Sequence, residues 1–359
     1  MKNMTSDTPS VGSLSASSSY RPIRVLITGL GGNIGSHIMA HIFTNTDWEI
    51  VGLDSFRQKG DKSRIMDFTD PVQHPDWRDR LTLFQTDLCC PISQKLREDM
   101  GQIDAILHLA AISDVQFSVE NPVYSIKNNV DSTLVMLELA REIKPQVFVQ
   151  FSTDEIYGPV ESADKPHAEW ETHRPSNPYS ASKAATEDIA YAYWRTYGVP
   201  VIITNTMNNF GEAQSASKFP AIIQRKVLAG ETIDIHGNKD EIGSRFYIHS
   251  RNVADALLWI LARGPYLHQP GKLDEPHKYH IVGDEQLNNL ELAQMIARLM
   301  DKPLHYQFVD FHRDNPGHDI HYGMSDSKLR AGGWEAPHSL EKSMKHTIEW
   351  QLENDKWIR

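Results

Sequence analysis

Cysteine is nearly missing from this 359-residue chain: the two present, Cys89 and Cys90, are neighbours and badly placed to pair with each other. Nothing here asks for an oxidising compartment. An excess of basic charge is missing too. Lys and Arg number 36 against 47 Asp and Glu, a formal net charge of −11, which argues against a long basic face and makes nucleic acid a poor partner. No apolar run approaches the roughly 18 residues of a membrane span, and Lys2 is followed by no apolar segment of the kind a secretory signal needs. No internal repeat is visible. None of the 17 histidines has the His-Glu-x-x-His spacing of a zinc helix, so no metal is expected. These absences leave a cytoplasmic, enzyme-sized chain. Its 40% apolar and 23% charged content suits a buried core, and its length suits one large α/β unit or two lobes.

Residues 1–22 are mostly Ser, Thr, Gly and small polar residues and read as a flexible tail. Order is expected from Ile23. Ile23–Thr28 (IRVLIT) is a β-branched, nearly continuous apolar run, the pattern of a strand buried on both faces. Helical spacing follows over Ser36–Phe43, then a strand over Trp48–Leu53. Leu81–Gln85, Ala105–Leu109, Gln146–Phe151 and Val201–Thr204 read as further strands with helical segments between most of them. That alternation predicts a parallel, doubly wound sheet. After about Phe210 the rhythm loosens, which suggests a smaller lobe over residues 211–359 that covers the carboxyl ends of the strands. Arg251–Arg263 looks like a helix returning to the main body, which would occupy 23–210.

Between the first strand and helix stands Gly29-Leu30-Gly31-Gly32-Asn33-Ile34-Gly35. Strand, G-x-x-G-x-x-G and helix together aim backbone N–H groups and a helix N-terminus at a pyrophosphate. Gly29 permits the tight turn, Gly32 lets phosphates come close, and Gly35 lets helix and strand pack. Asp54, ending the second strand, is placed to accept from both ribose hydroxyls of NAD and to repel the 2′-phosphate of NADP, although Arg57 close by would suit that phosphate. Asp87-Leu88, after the third strand, reads equally as an adenine contact or as an ordinary strand end.

Tyr179 and Lys183, at i and i+4, share one helical face, and an ammonium one turn from a phenol is expected to lower the phenol's pKa toward that of a usable base. Asn177-Pro178 reads as an N-cap and first turn, and Gly198 as the helix end near Tyr197. The strand over Gln146–Phe151 delivers Thr153-Asp154-Glu155 to the carboxyl edge of the sheet. Two adjacent carboxyls in one site can be driven to different protonation states, giving an acid and a base together; a solvated acidic turn is the plain alternative.

The stretches TGLGGNIGSH, HLAAISDVQFSVENP, FSTDEIYG, NPYSASKAATE, TNTMNNFG, SRFYIHSRNVADA and NPGHDIHYGMSDSKL resemble the extended short-chain dehydrogenase/reductases, and among them the dTDP-glucose 4,6-dehydratases. The TDE triplet discriminates best. The resemblance implies a Rossmann-type α/β fold with a smaller C-terminal substrate-binding lobe, bound NAD, a nucleotide-sugar substrate and a homodimer built on the helix over Pro122–Ile143 and the Tyr179 helix. It implies that Tyr179, assisted by Thr153, takes the proton of the sugar 4-hydroxyl. Glu155 then removes the C5 hydrogen and Asp154 protonates the departing 6-hydroxyl. Lys183 depresses the tyrosine pKa and holds the nicotinamide ribose. It further implies substrate contacts at Ser113, Asn209, Lys218, Arg245, Asn315 and His318. Departures from the family pattern at Ile112, Asp114, Gln116, Phe117 and Asn315 cluster on the substrate side, so the hexose or the base is open. A nucleotide-sugar epimerase or decarboxylase of the same superfamily, with an incidental carboxyl pair, is the second reading. A non-catalytic NAD-binding protein is the third.

Overall fold

Short β-branched runs buried on both faces pair side by side in parallel, with helices over each face. The computed structural model describes residues 23–69, 75–160, 165–238, 241–267, 273–310 and 320–358, and these show that arrangement. The strands β1 (Arg24–Thr28), β2 (Glu49–Asp54), β3 (Leu81–Gln85), β4 (Ala105–His108), β5 (Val147–Thr153) and β6 (Val201–Thr206) alternate with helices. Three short strands follow, β7 (Asn208–Phe210), β8 (Ile233–His236) and β9 (Ser244–His249), and then β10 (His277–Ile281), β11 (Gln286–Asn288) and β12 (Tyr306–Val309). Seven of them form one sheet in the order β10-β6-β5-β4-β1-β2-β3, a doubly wound, Rossmann-type α/β fold. The order reverses beside β1, which pairs in parallel with both β2 and β4, and ligands of such sheets bind in the crevice opened at that point. All the expected strands are present with ends moved by a residue or two. β5 runs on to Thr153, so Thr153 is the last residue the sheet holds rigidly.

The helices are α1 (Asn33–Asn45), α2 (Lys62–Asp67), α3 (Trp77–Arg80), α4 (Gln94–Met100), α5 (Val115–Glu120), α6 (Pro122–Ile143), α7 (Pro178–Tyr197), α8 (Phe219–Ala229), α9 (Ser250–Leu267), α10 (Asn289–Leu299), α11 (Ser327–Ala331) and α12 (Leu340–Glu353). On one face of the sheet, Ile38 and Ile42 of α1 and Val253, Leu257 and Leu261 of α9 share a core with Val25 and Ile27. On the other, Met136 and Leu137 of α6 and Trp194 of α7 pack on Leu26, Ile106 and Phe148. Each such side chain, fully withdrawn from water, contributes about 1.5–3 kcal/mol. A third core, with Phe210, Ile235, Tyr247, Leu292, Ile296 and Met344, holds the short strands together with α8, α10 and α12.

α7 shows how local sequence sets an element's limits. Asn177 accepts from the Ser180 N–H at 2.8 Å while the Ser180 hydroxyl accepts the Asn177 N–H in return, a capping box. Pro178 occupies the first turn, and Gly198, at φ 68°, closes the other end in the left-handed conformation. Among the described residues no helix is long and apolar enough to cross a membrane.

Candidate active site

The crevice at the reversal point is a cavity of about 420 Å3 whose walls include both the glycine loop and the carboxyl ends of β5 and β6. At one end Asp54 is almost buried. Its Oδ2 accepts from the Gly31 N–H at 2.9 Å and its Oδ1 from the Phe56 N–H at 2.8 Å. Arg57 is committed elsewhere: its guanidinium forks onto Asp87 at 2.8 and 2.9 Å and reaches the Asn128 Oδ1 at 3.1 Å. Asp87, Leu88 and Cys89 line this end with it.

The glycines act as their positions require. Gly29 lies at φ 70°, and a Cβ there would stand 3.1 Å from the backbone of Ala110, in the loop after β4. A Cβ on Gly35 would run into the Gly29 carbonyl oxygen. Gly32 starts α1 with no side-chain cap, so the first N–H groups of the helix are left for a ligand, with Asn33 and Ile34 in the cavity wall. The Asn33 side chain itself is tied to the Glu212 carbonyl (2.7 Å) and the Ser250 hydroxyl (2.8 Å). Bare N–H groups, a stripped backbone and a fixed carboxylate on β2 fit a dinucleotide.

At the other end stand Tyr179 and Lys183, both almost fully buried. The expected lowering of the tyrosine pKa by Lys183 is not found. Burial, and then the charges of Glu155 and Asp154, push the phenol well above its ordinary value, with only a hydrogen bond to Thr153 pulling it down. The reason is geometric: the Lys183 Nζ donates to the Phe151 carbonyl at 2.6 Å, while the phenol's neighbours are carboxyls. Burial also draws the Lys183 ammonium down to about 8, against the pull of Glu187.

Immediately past Thr153 the chain turns in a single 3-10 turn over Asp154–Tyr157, closed by Gly158 at φ 76°. Asp154 is 3% exposed. Its Oδ1 accepts from the Thr153 hydroxyl at 3.1 Å, and its Oδ2 is buried with no hydrogen-bond partner among the described residues. Burial first, then the charge of Glu155, push this carboxyl up to about 7, while Thr153 and Arg245 pull it back. Glu155 is more open and accepts at Oε2 from the Asn177 amide at 3.1 Å. Thus the residue that caps α7 also holds the second carboxyl. The two environments differ in the direction that separates an acid from a base.

Beneath the turn lies a foundation the sequence did not disclose. Asn205 donates to the Thr153 carbonyl (3.0 Å) and to Glu187 (2.6 Å), and Glu187 pairs with Lys278 at 2.6 Å, both charges fully buried. Burial would raise the Glu187 carboxyl, but Lys278 holds it down to about 2. Lys278 comes from β10, 91 residues away, so no spacing could reveal the pair.

Of the expected substrate contacts, Ser113, Asn209 and Lys218 line the cavity. Burial lowers the proton affinity of Lys218, with Asp114 and Glu155 opposing. Arg245 is not among the lining residues. Its guanidinium donates to the carbonyls of Ser244 (2.7 Å) and Ile320 and lies 4.4 Å from the Tyr322 ring centre. Asn315 and His318 lie outside the described residues. Asp114 caps α5 through the Phe117 N–H (3.0 Å) and pairs with Lys59 at 2.9 Å, while Ile112 and Phe117 form apolar wall. Gln116 turns outward to Glu120 at 2.8 Å. Sequence reasoning missed Lys59, Arg64, Asn128 and Cys89 as lining residues, because the loops after β2 and β3, α2 and α6 meet only in the fold.

Three potential metal ligands, His37, Glu212 and His249, do come together, buried and with ligand atoms within 4.8 Å of one another. Their hydrogen bonds place protons there. The Arg251 N–H donates to His249 Nδ1 at 3.0 Å, so Nε2 carries the proton and donates to Glu212, also at 3.0 Å. His37 lies between the Asn33 carbonyl (2.7 Å) and Glu212 (2.8 Å). The cluster is a hydrogen-bonded knot that ties α1 to the loop after β7 and to the end of β9.

Comparison with known proteins agrees with this geometry. The dTDP-glucose 4,6-dehydratase 1 of Escherichia coli is 30% identical, over 94% of each chain, and the Haemophilus influenzae dTDP-glucose 4,6-dehydratase is 30% identical over 92% of this chain and 98% of its own. A Streptomyces venezuelae dTDP-glucose 4,6-dehydratase, solved with NAD bound, superposes with a TM-score of 0.79 at 29% identity, over 93% of this chain and 98% of that one. Residues 25–271 match the NAD dependent epimerase/dehydratase family, and the chain, with its glycine loop, β2 acid and Tyr-x-x-x-Lys helix, belongs to it.

Proposed function

We propose that this protein is a nucleotide-sugar 4,6-dehydratase, which removes water from an NDP-hexose to leave an NDP-4-keto-6-deoxyhexose. The observation that carries the reading is Asp154: a buried carboxyl raised to about 7, with one oxygen unpartnered among the described residues, one residue from a second carboxyl held in place by Asn177. An epimerase has no need of an acid for departing water. NAD, when bound, supplies the hydride acceptor and donor and a positive ring charge that favours the tyrosinate. The chain's own residues do the rest. Tyr179, hydrogen-bonded to Thr153, receives the proton of the 4-hydroxyl. The resulting ketone acidifies C5–H, Glu155 takes that proton, and Asp154 gives its own to the 6-hydroxyl, which leaves as water; Glu155 then gives its proton back to C5 as the hydride taken from C4 would be returned to C6, completing the 6-deoxy product. Lys183 fixes the floor of the site through the Phe151 carbonyl.

In this reading residues 23–210, joined by α9 and β10, hold the cofactor, and the rest of 211–359 holds the nucleotide sugar. Ser113, Asn209 and Lys218 face the substrate. The exposed Val123, Tyr124 and Ile126 at the start of α6, and the exposed Tyr197 against Arg141 at the far end of the same helix pair, support a homodimer through α6 and α7. Two free cysteines support a cytoplasmic enzyme.

Mass spectrometry over a panel of nucleotide sugars is the test. Loss of one water at constant redox state is expected; an isobaric product would replace the reading with epimerisation. Glu155→Gln should slow elimination by about 10²–10⁴-fold, the usual worth of a positioned base, yet still allow substrate-dependent reduction of bound NAD.

A further inference from the structure

The loop after β2 folds back over the glycine loop. The Asp61 N–H donates to the Gly31 carbonyl at 3.0 Å, and a Cβ on Gly31 would stand 2.7 Å from the Phe56 ring. Phe56 holds φ 52°, a left-handed conformation that costs free energy in a bulky residue and so must be imposed by its surroundings. The Phe56 N–H is held by Asp54 Oδ1 at 2.8 Å, and the same loop is tied down again further along. Arg64, at the start of α2, is 3% exposed and lines the cavity. Its guanidinium donates to three main-chain carbonyls from three segments: Gly31 of the glycine loop, Lys59 of the covering loop (3.0 Å) and Ala213 after β7 (2.8 Å). Ala213 is itself held at φ 55°.

Arg64 is in turn backed from outside the cavity. Its guanidinium lies 4.7 Å from the ring centre of Trp357, in the turn Asp355–Trp357 that follows α12. That turn is pinned to α2: the Trp357 indole N–H donates to Asp67 at 2.8 Å, and Lys356 pairs with the same carboxylate at 2.9 Å. Stacking, a buried fork and two bonds to Asp67 therefore form one continuous support from the surface to the phosphate-facing loop.

We propose that Arg64, backed by Trp357 and Asp67, is a positioning residue that latches the covering loop onto the glycine loop and so keeps NAD bound between turnovers. The proposal rests on NAD binding by this family and not on the sugar chemistry. Opening the covering loop requires Arg64 to give up its carbonyls. While Trp357 and Asp67 hold it, the dinucleotide leaves slowly.

The test is the rate at which NAD dissociates from purified holoenzyme, followed by dilution and rapid filtration, without substrate. Arg64→Met should release NAD faster by about tenfold or more, the scale of losing charged hydrogen bonds. Arg64→Met can also fail to fold, so Trp357→Ala and Asp67→Asn, at residues outside the cavity wall, carry the test independently. Each should speed release severalfold, with Trp357→Phe intermediate because it keeps the stack and loses the N–H. Amide exchange of Gly31, Gly32 and Asp61 should quicken in step. Release at the wild-type rate from both Trp357→Ala and Asp67→Asn would overturn the proposal. Failure of the dehydratase reading would appear in the product of the wild-type enzyme and leave these rates untouched.

Discussion

Asp154→Asn should make the protein more stable and nearly inactive, with both effects governed by pH. A buried carboxyl raised from the usual 3.8 to about 7 keeps its proton in the folded state while the unfolded chain gives it up. Its stabilising contribution is therefore fully present below about pH 4, the unfolded value, and is lost as pH rises through about 7. Three units at 1.36 kcal/mol each set a ceiling of about 4 kcal/mol. Asparagine keeps an oxygen for the Thr153 hydroxyl and cannot ionise, so the variant escapes this loss. Denaturant unfolding of both proteins between pH 4 and 8 is the assay. The variant's stability relative to wild type should climb steadily up to pH 7 and then level off. Turnover should behave in the opposite sense. The wild type should lose about tenfold in rate per unit above pH 7 as the acid is titrated, and the variant should sit about 10²–10⁴-fold lower with that limb absent. A stability difference that stays flat from pH 4 to 8 would refute the reasoning, since Asp154 would then ionise as an ordinary surface acid.

Two further outcomes follow from contacts around the same turn. Asn177→Asp keeps the cap oxygen for the Ser180 N–H but sets a carboxylate against Glu155. The like charge raises the proton affinity of Glu155, so turnover should fall most at low pH and recover as pH rises, while thermal stability changes by less than about 1 kcal/mol; a uniform loss at all pH would count against Glu155 as the base. Lys278→Met strands the buried Glu187 carboxylate and should cost about 3–5 kcal/mol, whereas pairing it with Glu187→Leu should restore most of that, both read from denaturation midpoints.

The parts of the molecule legible beforehand were those whose cause is local. The limits of α7 could be read from Asn177-Pro178 and Gly198 because capping and the left-handed turn act within four residues. The glycine loop could be read because steric freedom is a property of single residues. β10 escaped notice for the opposite reason. Its sequence, HKYHI, looks polar, and it is buried only because Lys278 finds Glu187, and His280 finds the Tyr157 hydroxyl at 2.8 Å, both distant in the chain. The sign of the tyrosine shift failed similarly. Spacing puts Lys183 on the face of Tyr179, but the Phe151 carbonyl, contributed by another strand, decides where the ammonium points.

The placement of β10 at the end of the sheet also bears on how the chain is made. β6 has no partner on its outer side until residues 277–281 arrive, and the apolar flank of α1 waits for α9. During synthesis, therefore, a nascent polypeptide that already contains Thr153, Asp154, Glu155, Tyr179 and Lys183 still carries an open strand edge and an uncovered oily surface. Such a fragment is an invitation to edge-to-edge association, and chaperone demand should peak in the interval between emergence of β6 and emergence of β10.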